Sequence, residues 1–459
     1  MSATDRLRAL LGLAIPMVLA RATQSVMTFA DALFVEHLGP GSIAASATGG
    51  YNVFLYMILP MGTVFIVQSF VAQLVGAGQR DDAPRFAWYG LALAAIAGII
   101  GLMLIPLIGP MLSVTEYTPH VRAEMSSYME IRMYSVTAVV AIEVLGNWYG
   151  GLGNTWMGMV CAILTMVVDL ALNWVLIYGH LGAPAMGVDG AALSTSIASW
   201  VGFAFLGLAF WRRWGGAPRG SKDRTISARD PKASRRELVR VLRFGLPNGL
   251  NWFLEFAAFQ VFMNFVLAGL GDVPVAALNV VMAINSVSFM PAFGLASAGA
   301  ILAGQSIGAG DREAVWPQVK ITLLCTMTWM GVIGLLYFVA PGPLLGLFDS
   351  DGKSPELVSL AATMLLISAA WQLFDAISMT LAETLRAAGD TTWPFAARLV
   401  LAWVIFTPGA FLVVDVMEGG PIAAMGCLIA YIGLLALAFA YRFRSGAWKK
   451  IQLIEPKLV

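Results

Sequence analysis

The stretch GAGQRDDAPR at residues 76–85 recurs as GAGDREAVWP at residues 308–317, and this repeat decides the fold. Gln73 and Gln305 precede the two copies by the same distance. Further matches lie in the same order along both halves at nearly the same offset: Pro16 with Pro247, Leu38-Gly39 with Leu270-Gly271, and Gly153-Asn154-Thr155 with Gly389-Asp390-Thr391. Ordered matches at a near-constant offset indicate that the second half of the chain duplicates the first.

The composition is that of a membrane protein. Of 459 residues, 59% are hydrophobic and only 12% are charged, with a mean hydropathy of +0.77, whereas about 25% of the residues in an average soluble domain are charged. Apolar segments of about 20 residues, long enough to cross a bilayer, recur along the chain. Breaks at Gly, Pro and charged clusters predict twelve transmembrane helices, at 8–36, 42–75, 86–112, 122–149, 155–179, 188–213, 237–268, 274–308, 315–346, 355–386, 393–415 and 421–443.

The repeat and the spans together predict the architecture. Six helices separate equivalent positions, so both halves insert in the membrane with the same orientation. We therefore predict an all-α membrane protein with two six-helix lobes related by a parallel pseudo-two-fold repeat, a plan shared by many secondary transporters. The N-terminal lobe is expected at 1–213 and the C-terminal lobe with its tail at 237–459. A basic cytoplasmic linker at 214–236 joins them; it lacks the interleaved aromatics of nucleic-acid sites.

The distribution of Lys and Arg predicts the orientation. With a cytoplasmic N-terminus, the outer loops hold only Arg122 and Lys353, and Arg21 and Arg132 lie within helices. All other Lys and Arg residues fall on the cytoplasmic side, and Arg398 is assigned there with them. This positive-inside bias predicts a multi-pass protein of the plasma membrane (the bacterial inner membrane) with both termini in the cytoplasm.

Four carboxylates lie well inside apolar helices: Asp31, Asp169, Glu255 and Asp375. An ionised side chain at that depth costs roughly 2.5 kcal/mol or more, so their presence indicates ion binding, proton relay or substrate pairing. The alternative is a structural acid, hydrogen-bonded to a neighbouring helix. Asp169 and Asn173 share a helix face at i, i+4, which suits a small cation. No arginine is expected beside Glu255 or Asp375, and apolar surroundings favour the neutral form of such a carboxyl group.

Six segments form an ordered set that identifies a family. They are LAIPMVLARATQSVMTFADALFVEHLG, VAQLVGAGQRDDAPR, VVDLALNWVLIYGHLGAPAMGVDGAALSTSIAS, FGLPNGLNWFLEFAAF, AGQSIGAGDREAV and LFDAISMTLAETLRAAGDTTWP. Over essentially its full length, the chain resembles the multidrug and toxic compound extrusion (MATE) transporters, and among them the NorM-like branch. The resemblance implies two six-helix bundles around a V-shaped cavity and export of cationic amphipathic compounds against inward flow of sodium ions or protons.

The resemblance also implies the site. Cation or proton coupling falls on Asp31, Asp169, Asn173 and Thr195 in the first lobe, and on Glu255 and Asp375 in the second; either set could hold Na⁺. The chain departs from some relatives in two places. In the predicted helix at 155–179, Asp169 precedes Asn173, whereas some relatives have asparagine first and aspartate second. Trp371 stands where some relatives have a tyrosine one turn before Asp375. Since tryptophan offers no hydroxyl oxygen, the second lobe is expected to favour protons, with sodium still open in the first.

The expected partners are membrane lipids and small organic cations, with no cofactor and a monomeric state. Aromatic side chains can hold a flat cation by cation–π contact, although plain packing is the alternative for each of them. The candidates for the substrate cavity are Trp252, Phe256, Phe259, Phe289 and Trp371.

Two other functions are open to such a chain. A lipid-linked oligosaccharide flippase of the same superfamily would line its cavity with basic residues to meet pyrophosphate, whereas this chain offers acids. An intramembrane enzyme would need a catalytic motif, and neither HExxH, a Gly-x-Ser-x-Gly elbow nor a Walker loop is present. The sequence therefore favours a transporter over an enzyme.

Overall fold

The computed structural model describes residues 2–113, 117–218, 231–346 and 355–454, and this part of the chain is built from helices without a strand. The α-helices are α1 Ala3–Glu36, α2 Pro40–Val64, α3 Val67–Gly76, α4 Pro84–Ser113, α5 Pro119–Met133, α6 Val136–Gly151, α7 Trp156–Tyr178, α8 Val188–Arg212, α9 Pro231–Val261, α10 Asp272–Gly308, α11 Val315–Val339, α12 Pro341–Gly346, α13 Pro355–Ala387, α14 Thr392–Arg398, α15 Thr407–Phe411 and α16 Pro421–Arg444. Of the predicted linker, residues 219–230 lie outside the described residues, as do Lys353 and Lys457.

Eleven helical segments of the described chain are long and apolar enough to cross a membrane. The predicted span at 122–149 is present as two consecutive helices, α5 and α6, which meet at Tyr134 and Ser135. Each of the two is shorter than a span, and α5 carries four charged side chains. The structure thus confirms an all-α membrane fold, and it divides the fourth predicted helix at the junction between its polar and apolar parts.

The chain forms two compact units. The N-unit comprises Leu19–Gly249, and the C-unit comprises Met1–Val18 together with Leu250–Val459. The first turns of α1 belong to the C-unit because Leu10 and Ala14 pack against Ala298 of α10. The units therefore divide the chain inside α1 and α9, whereas the lobes predicted from the repeat divide it at the linker; those lobes stay a prediction.

Four prolines lie inside long helices at matched positions of the two halves: Pro16 in α1, Pro60 in α2, Pro247 in α9 and Pro291 in α10. A proline in a helix interior removes one ladder hydrogen bond and tends to kink the helix. The shared placement shows that the repeat extends to the local irregularities of the helices.

The C-unit has three π-helical segments, Phe262–Leu267 after α9 and Leu399–Phe406 and Leu412–Val416 on either side of α15. Such segments insert an extra residue into a helical turn and are frequent at functional sites. The predicted helix at 393–415 is therefore one apolar span in which α-helical and π-helical turns alternate.

Candidate functional site: two clusters of membrane-embedded carboxylates

The N-unit brings together the first-lobe residues predicted from the sequence. The side-chain amide of Asn173 donates to Asp31 Oδ1 at 2.6 Å and to Asp169 Oδ2 at 3.1 Å. Asp169 also lies within hydrogen-bonding reach of the Asp31 carboxyl and the Thr195 hydroxyl. One amide thus joins two carboxylates from α1 and α7, and a hydroxyl from α8 completes the group.

Two oxygens of this cluster accept no hydrogen bond from the part of the chain that the structure describes. Asp169 and Asn173 are fully buried, at 0% exposure, and Asp169 Oδ1 and Asn173 Oδ1 are both unpaired among the described residues. The Thr195 hydroxyl donates to the Ala191 carbonyl at 3.1 Å, which leaves its oxygen lone pairs to accept. A buried acceptor without a partner costs about 1–3 kcal/mol, or more when it is charged. The cluster is therefore a set of acceptors that a bound cation or proton would satisfy.

A close approach of α8 to α7 holds the threonine in place. Gly190 lies against the α7 backbone, where an added Cβ would stand 2.7 Å from the Leu176 carbonyl oxygen. The absence of a side chain at Gly190 lets the two helices touch and brings Thr195, five residues later, towards Asp169.

Arg132 and Tyr128 of α5 also face the N-unit carboxylates. Both lie within electrostatic range of Asp31 and Asp169. The nearby Glu130 accepts from Ser126 at 2.9 Å, and the described structure shows no ion pair between Glu130 and Arg132. The N-unit cluster therefore combines two carboxylates with one guanidinium.

The C-unit corrects one prediction about Glu255. The sequence predicted no basic partner for this acid, yet Arg398 forms an ion pair with it. Arg398 was assigned to the cytoplasmic side because it lies near the start of the predicted helix at 393–415. In the structure, α14 and the π-helical segment after it carry Arg398 against α9. The Arg398 side chain is 6% exposed and that of Glu255 is 50% exposed.

Asp375 and Tyr431 complete the C-unit cluster. The Asp375 carboxylate has no hydrogen bond or ion pair among the described residues. The Tyr431 hydroxyl lies within hydrogen-bonding reach of Arg398 and within electrostatic range of Asp375. Tyr431 therefore brings to this cluster the phenol oxygen that Trp371 cannot supply.

All five aromatic candidates lie in the C-unit. Phe289 stacks on Phe293 with ring centroids 6.3 Å apart, and Trp252 meets the same ring edge-on at 6.1 Å. Trp371 is buried in the main core of the C-unit, and Phe259 packs against that core; Phe256 is half-buried on the same helix as Trp252. Their place in a substrate cavity stays a prediction.

Two other embedded acids have basic partners. Glu383 pairs with Arg386 at 2.5 Å, and both side chains are buried. Glu143 pairs with Arg21 at 3.4 Å and accepts from Asn147 at 3.1 Å. These acids are paired already, unlike Asp375, whose carboxylate is left available.

Sequence reasoning missed Arg398, Tyr431 and Arg132 as members of the clusters. A signal for Arg398 existed, because it lies five residues inside a predicted span. Tyr431 carried no signal, since one tyrosine in an apolar helix is ordinary, and its proximity to Asp375 depends on how α13 packs against α16.

An all-helical membrane fold with embedded carboxylates is compatible with a secondary transporter, and comparison with known proteins identifies the family. The MatE family model matches residues 16–175 and 250–412. The chain therefore belongs to the MatE family.

Curated relatives agree with this assignment. The chain is 26% identical over 445 residues to the probable multidrug resistance protein NorM of Thermotoga maritima, covering 96% of this chain and 93% of that protein. It is 28% identical over 404 residues to the multidrug resistance protein PmpM of Pseudomonas aeruginosa, covering 88% and 83%. The prediction of a NorM-like MATE transporter is confirmed, and the chain is a transporter and not an enzyme.

Solved structures show the same fold. One is an outward-facing conformation of a multidrug resistance MATE family transporter of the MOP superfamily, with a TM-score of 0.87 and 20% identity over 98% of this chain and 99% of that one. Another is the eukaryotic MATE transporter AtDTX14, with a TM-score of 0.86 and 17% identity over 98% and 97%. At these identities the likeness concerns the fold alone.

Proposed function

We propose that this transporter exports amphipathic organic cations by antiport, with protons or sodium ions as the inward coupling ions. The relatives are multidrug resistance proteins by name, which supports a broad range of small-molecule substrates. The coupling ion is assigned to the N-unit cluster of Asp31, Asp169, Asn173 and Thr195, and to the C-unit cluster of Glu255 and Asp375.

One observation carries the proposal: buried Asp169 and Asn173 each present an oxygen that accepts no hydrogen bond from the described residues, next to the carboxylate of Asp31. Either a proton or a sodium ion would supply a partner for these oxygens. A proton shared between the carboxyl groups would remove one charge, whereas a sodium ion would take Asp169 Oδ1, Asn173 Oδ1 and the Thr195 hydroxyl as ligands. Hard monovalent cations favour oxygen ligands of this kind.

The charge of the clusters argues for cations over anions. Each cluster combines two carboxylates with one arginine, so neither offers the excess of positive charge that a pyrophosphate group would need. This balance favours an exporter of organic cations over a lipid-linked oligosaccharide flippase. A location in the bacterial inner membrane, with cytoplasmic termini, follows from the positive-inside bias and belongs to the same proposal.

The test is dye efflux from proteoliposomes in which one ion gradient is applied at a time. Ethidium export is measured with an inward sodium gradient at fixed pH in the presence of a protonophore, and separately with a proton gradient in sodium-free buffer. We expect one of the two to drive export, with protons favoured at the C-unit acids. Equal export without either gradient would contradict antiport, and export under only one condition identifies the ion.

A further inference from the structure

The ion pair of Glu255 and Arg398 is asymmetric. The guanidinium is buried, whereas half of the Glu255 side chain is exposed. An arginine stays charged under all physiological conditions, so Glu255 always has a positive partner within reach. An arriving cation therefore finds a carboxylate that is accessible but already neutralised.

Several contacts hold the arginine against α9. Arg398 is the last residue of α14, directly before the π-helical segment Leu399–Phe406. Within that segment the Trp403 indole donates to the Leu254 carbonyl at 3.2 Å, one residue before Glu255. The Arg398 guanidinium also lies 5.9 Å from the centre of the Phe439 ring. One hydrogen bond to the α9 backbone and one ring contact thus hold the arginine-bearing segment beside Glu255.

The pairing of Arg398 is incomplete. Its Nε has no hydrogen bond among the described residues, although the hydroxyl of the adjacent Tyr431 lies within reach of the guanidinium. A buried ion pair is weak evidence for stability, because desolvation offsets most of the Coulomb attraction unless every polar atom is satisfied. A fully structural pair, such as Arg386 with Glu383, has two hydrogen bonds between its partners. The Arg398–Glu255 pair lacks this complete hydrogen bonding, as is expected of an ion pair that opens.

We propose that Arg398 is a tethered counter-ion that occupies Glu255 until a transported monovalent cation displaces it. This inference rests on the proposed coupling role of Glu255. With Glu255 and Asp375 ionised and Arg398 charged, the cluster has a net charge of −1, which one monovalent cation neutralises. Competition from Arg398 lowers the affinity for that cation and speeds its release. Arg398 acts through Glu255, so it is a positioning residue that sets ion affinity.

The test uses variants of the full-length protein in proteoliposomes. Arg398→Gln and Arg398→Met remove the charge, and Met keeps an unbranched side chain of similar length. Removal of one partner is most destabilising when the other is left as a buried charge, whereas half of the Glu255 side chain is exposed. Arg398→Lys keeps the charge and is the matched control. For each variant, the initial rate of ethidium efflux is recorded over a series of sodium concentrations at fixed pH and a series of pH values at fixed sodium. Size-exclusion profiles and thermal unfolding identify the folded variants.

The proposal predicts opposite changes in affinity and rate. For whichever ion drives efflux, the half-saturating concentration falls at least about tenfold in the charge-removing variants. The maximal rate falls as well, because the ion leaves more slowly, and Arg398→Lys stays within about threefold of the wild type in both values. A structural arginine would lower the rate without tightening ion binding. An unchanged or raised half-saturating concentration in either folded charge-removing variant overturns the proposal.

A Glu255→Gln variant separates this inference from the proposed function. If Glu255→Gln loses ion-driven efflux and the Arg398 variants keep the wild-type half-saturating concentration, Glu255 couples and the tethered counter-ion is rejected. If Glu255→Gln keeps wild-type ion dependence, the coupling role of Glu255 fails, and the counter-ion proposal fails with it.

Discussion

Asn173 Nδ2 lies 2.6 Å from Asp31 Oδ1 and thereby joins the middle of α7 to α1. The same amide donates to Asp169, so one asparagine organises two carboxylates on different helices. A hydrogen bond to a charged acceptor contributes about 1.5–3 kcal/mol. A change in the charge of either acid therefore alters the hydrogen bonds that join α1 to α7. Ion coupling requires such a link between charge and helix packing.

The first prediction concerns Asp31. Asp31→Asn replaces one carboxylate with an amide, so it removes a negative charge and sets two amides against each other. We expect ion-driven ethidium efflux to fall at least about tenfold, a loss of about 1.4 kcal/mol or more. Asp5→Asn is the control on the same helix, since Asp5 is exposed and its side chain bonds to Ser2. Wild-type efflux by Asp31→Asn over a full pH series would show that the N-unit cluster is not functional.

The second prediction concerns Gly190. Its substitution by alanine places a Cβ 2.7 Å from the Leu176 carbonyl oxygen and pushes α8 away from α7. Such overpacking costs about 1–3 kcal/mol, and it moves Thr195 from Asp169. We expect a lower unfolding temperature together with weaker efflux. Gly207→Ala on the same helix meets only the Phe203 ring at 3.8 Å and should be neutral or slightly stabilising. Equal stability of the two variants would argue against the close helix contact.

Asp375 gives the third prediction. Its carboxylate lacks a bonded partner among the described residues, so Asp375→Asn removes a charge and disturbs little else. The protein should stay folded, by thermal unfolding in detergent, while ion-driven efflux is abolished. Glu356→Gln, at the exposed start of the same helix, provides the control. Normal gradient-driven efflux by Asp375→Asn in proteoliposomes counts against coupling through this acid.

The fourth prediction addresses the anchor beside Glu255. Trp403→Phe keeps an aromatic ring but deletes the donor to the Leu254 carbonyl. The loss of one buried hydrogen bond should cost about 0.5–1.5 kcal/mol of stability and lower efflux severalfold, because the backbone next to Glu255 loses its tie to the arginine-bearing segment. Trp393→Phe, ten residues earlier in α14, is the control. If both substitutions have the same small effect on efflux, the anchor has no special role.

The sequence predicted the helices well because each apolar span is a local property. The repeat also predicted the paired helix prolines, such as Pro16 and Pro247. The partner of Glu255 could not be found in this way, since Arg398 lies 143 positions later and its approach depends on a π-helical segment that hydropathy does not register. The same holds for Tyr431, whose neighbours are set by tertiary packing.

The first-lobe set was predicted from family resemblance and the i, i+4 spacing of Asp169 and Asn173. The structure adds that Asn173 contacts Asp31, a relationship between two helices far apart in the chain. Gly190, which lets α7 and α8 approach, had no recognisable signal in an alanine- and glycine-rich stretch. The sequence therefore predicted the individual side chains of the cluster, but it did not predict the helix contacts that bring them together.

The proposed antiport depends on exchange of the substrate for the coupling ion through these carboxylates. It is tested most directly by adding tetraphenylphosphonium to the purified protein in weakly buffered solution while a pH indicator and a sodium electrode record ion release. The account predicts release of protons or sodium ions from the wild type, and none from a variant combining Asp31→Asn with Asp375→Asn. Binding of tetraphenylphosphonium to the wild type without release of either ion would contradict it.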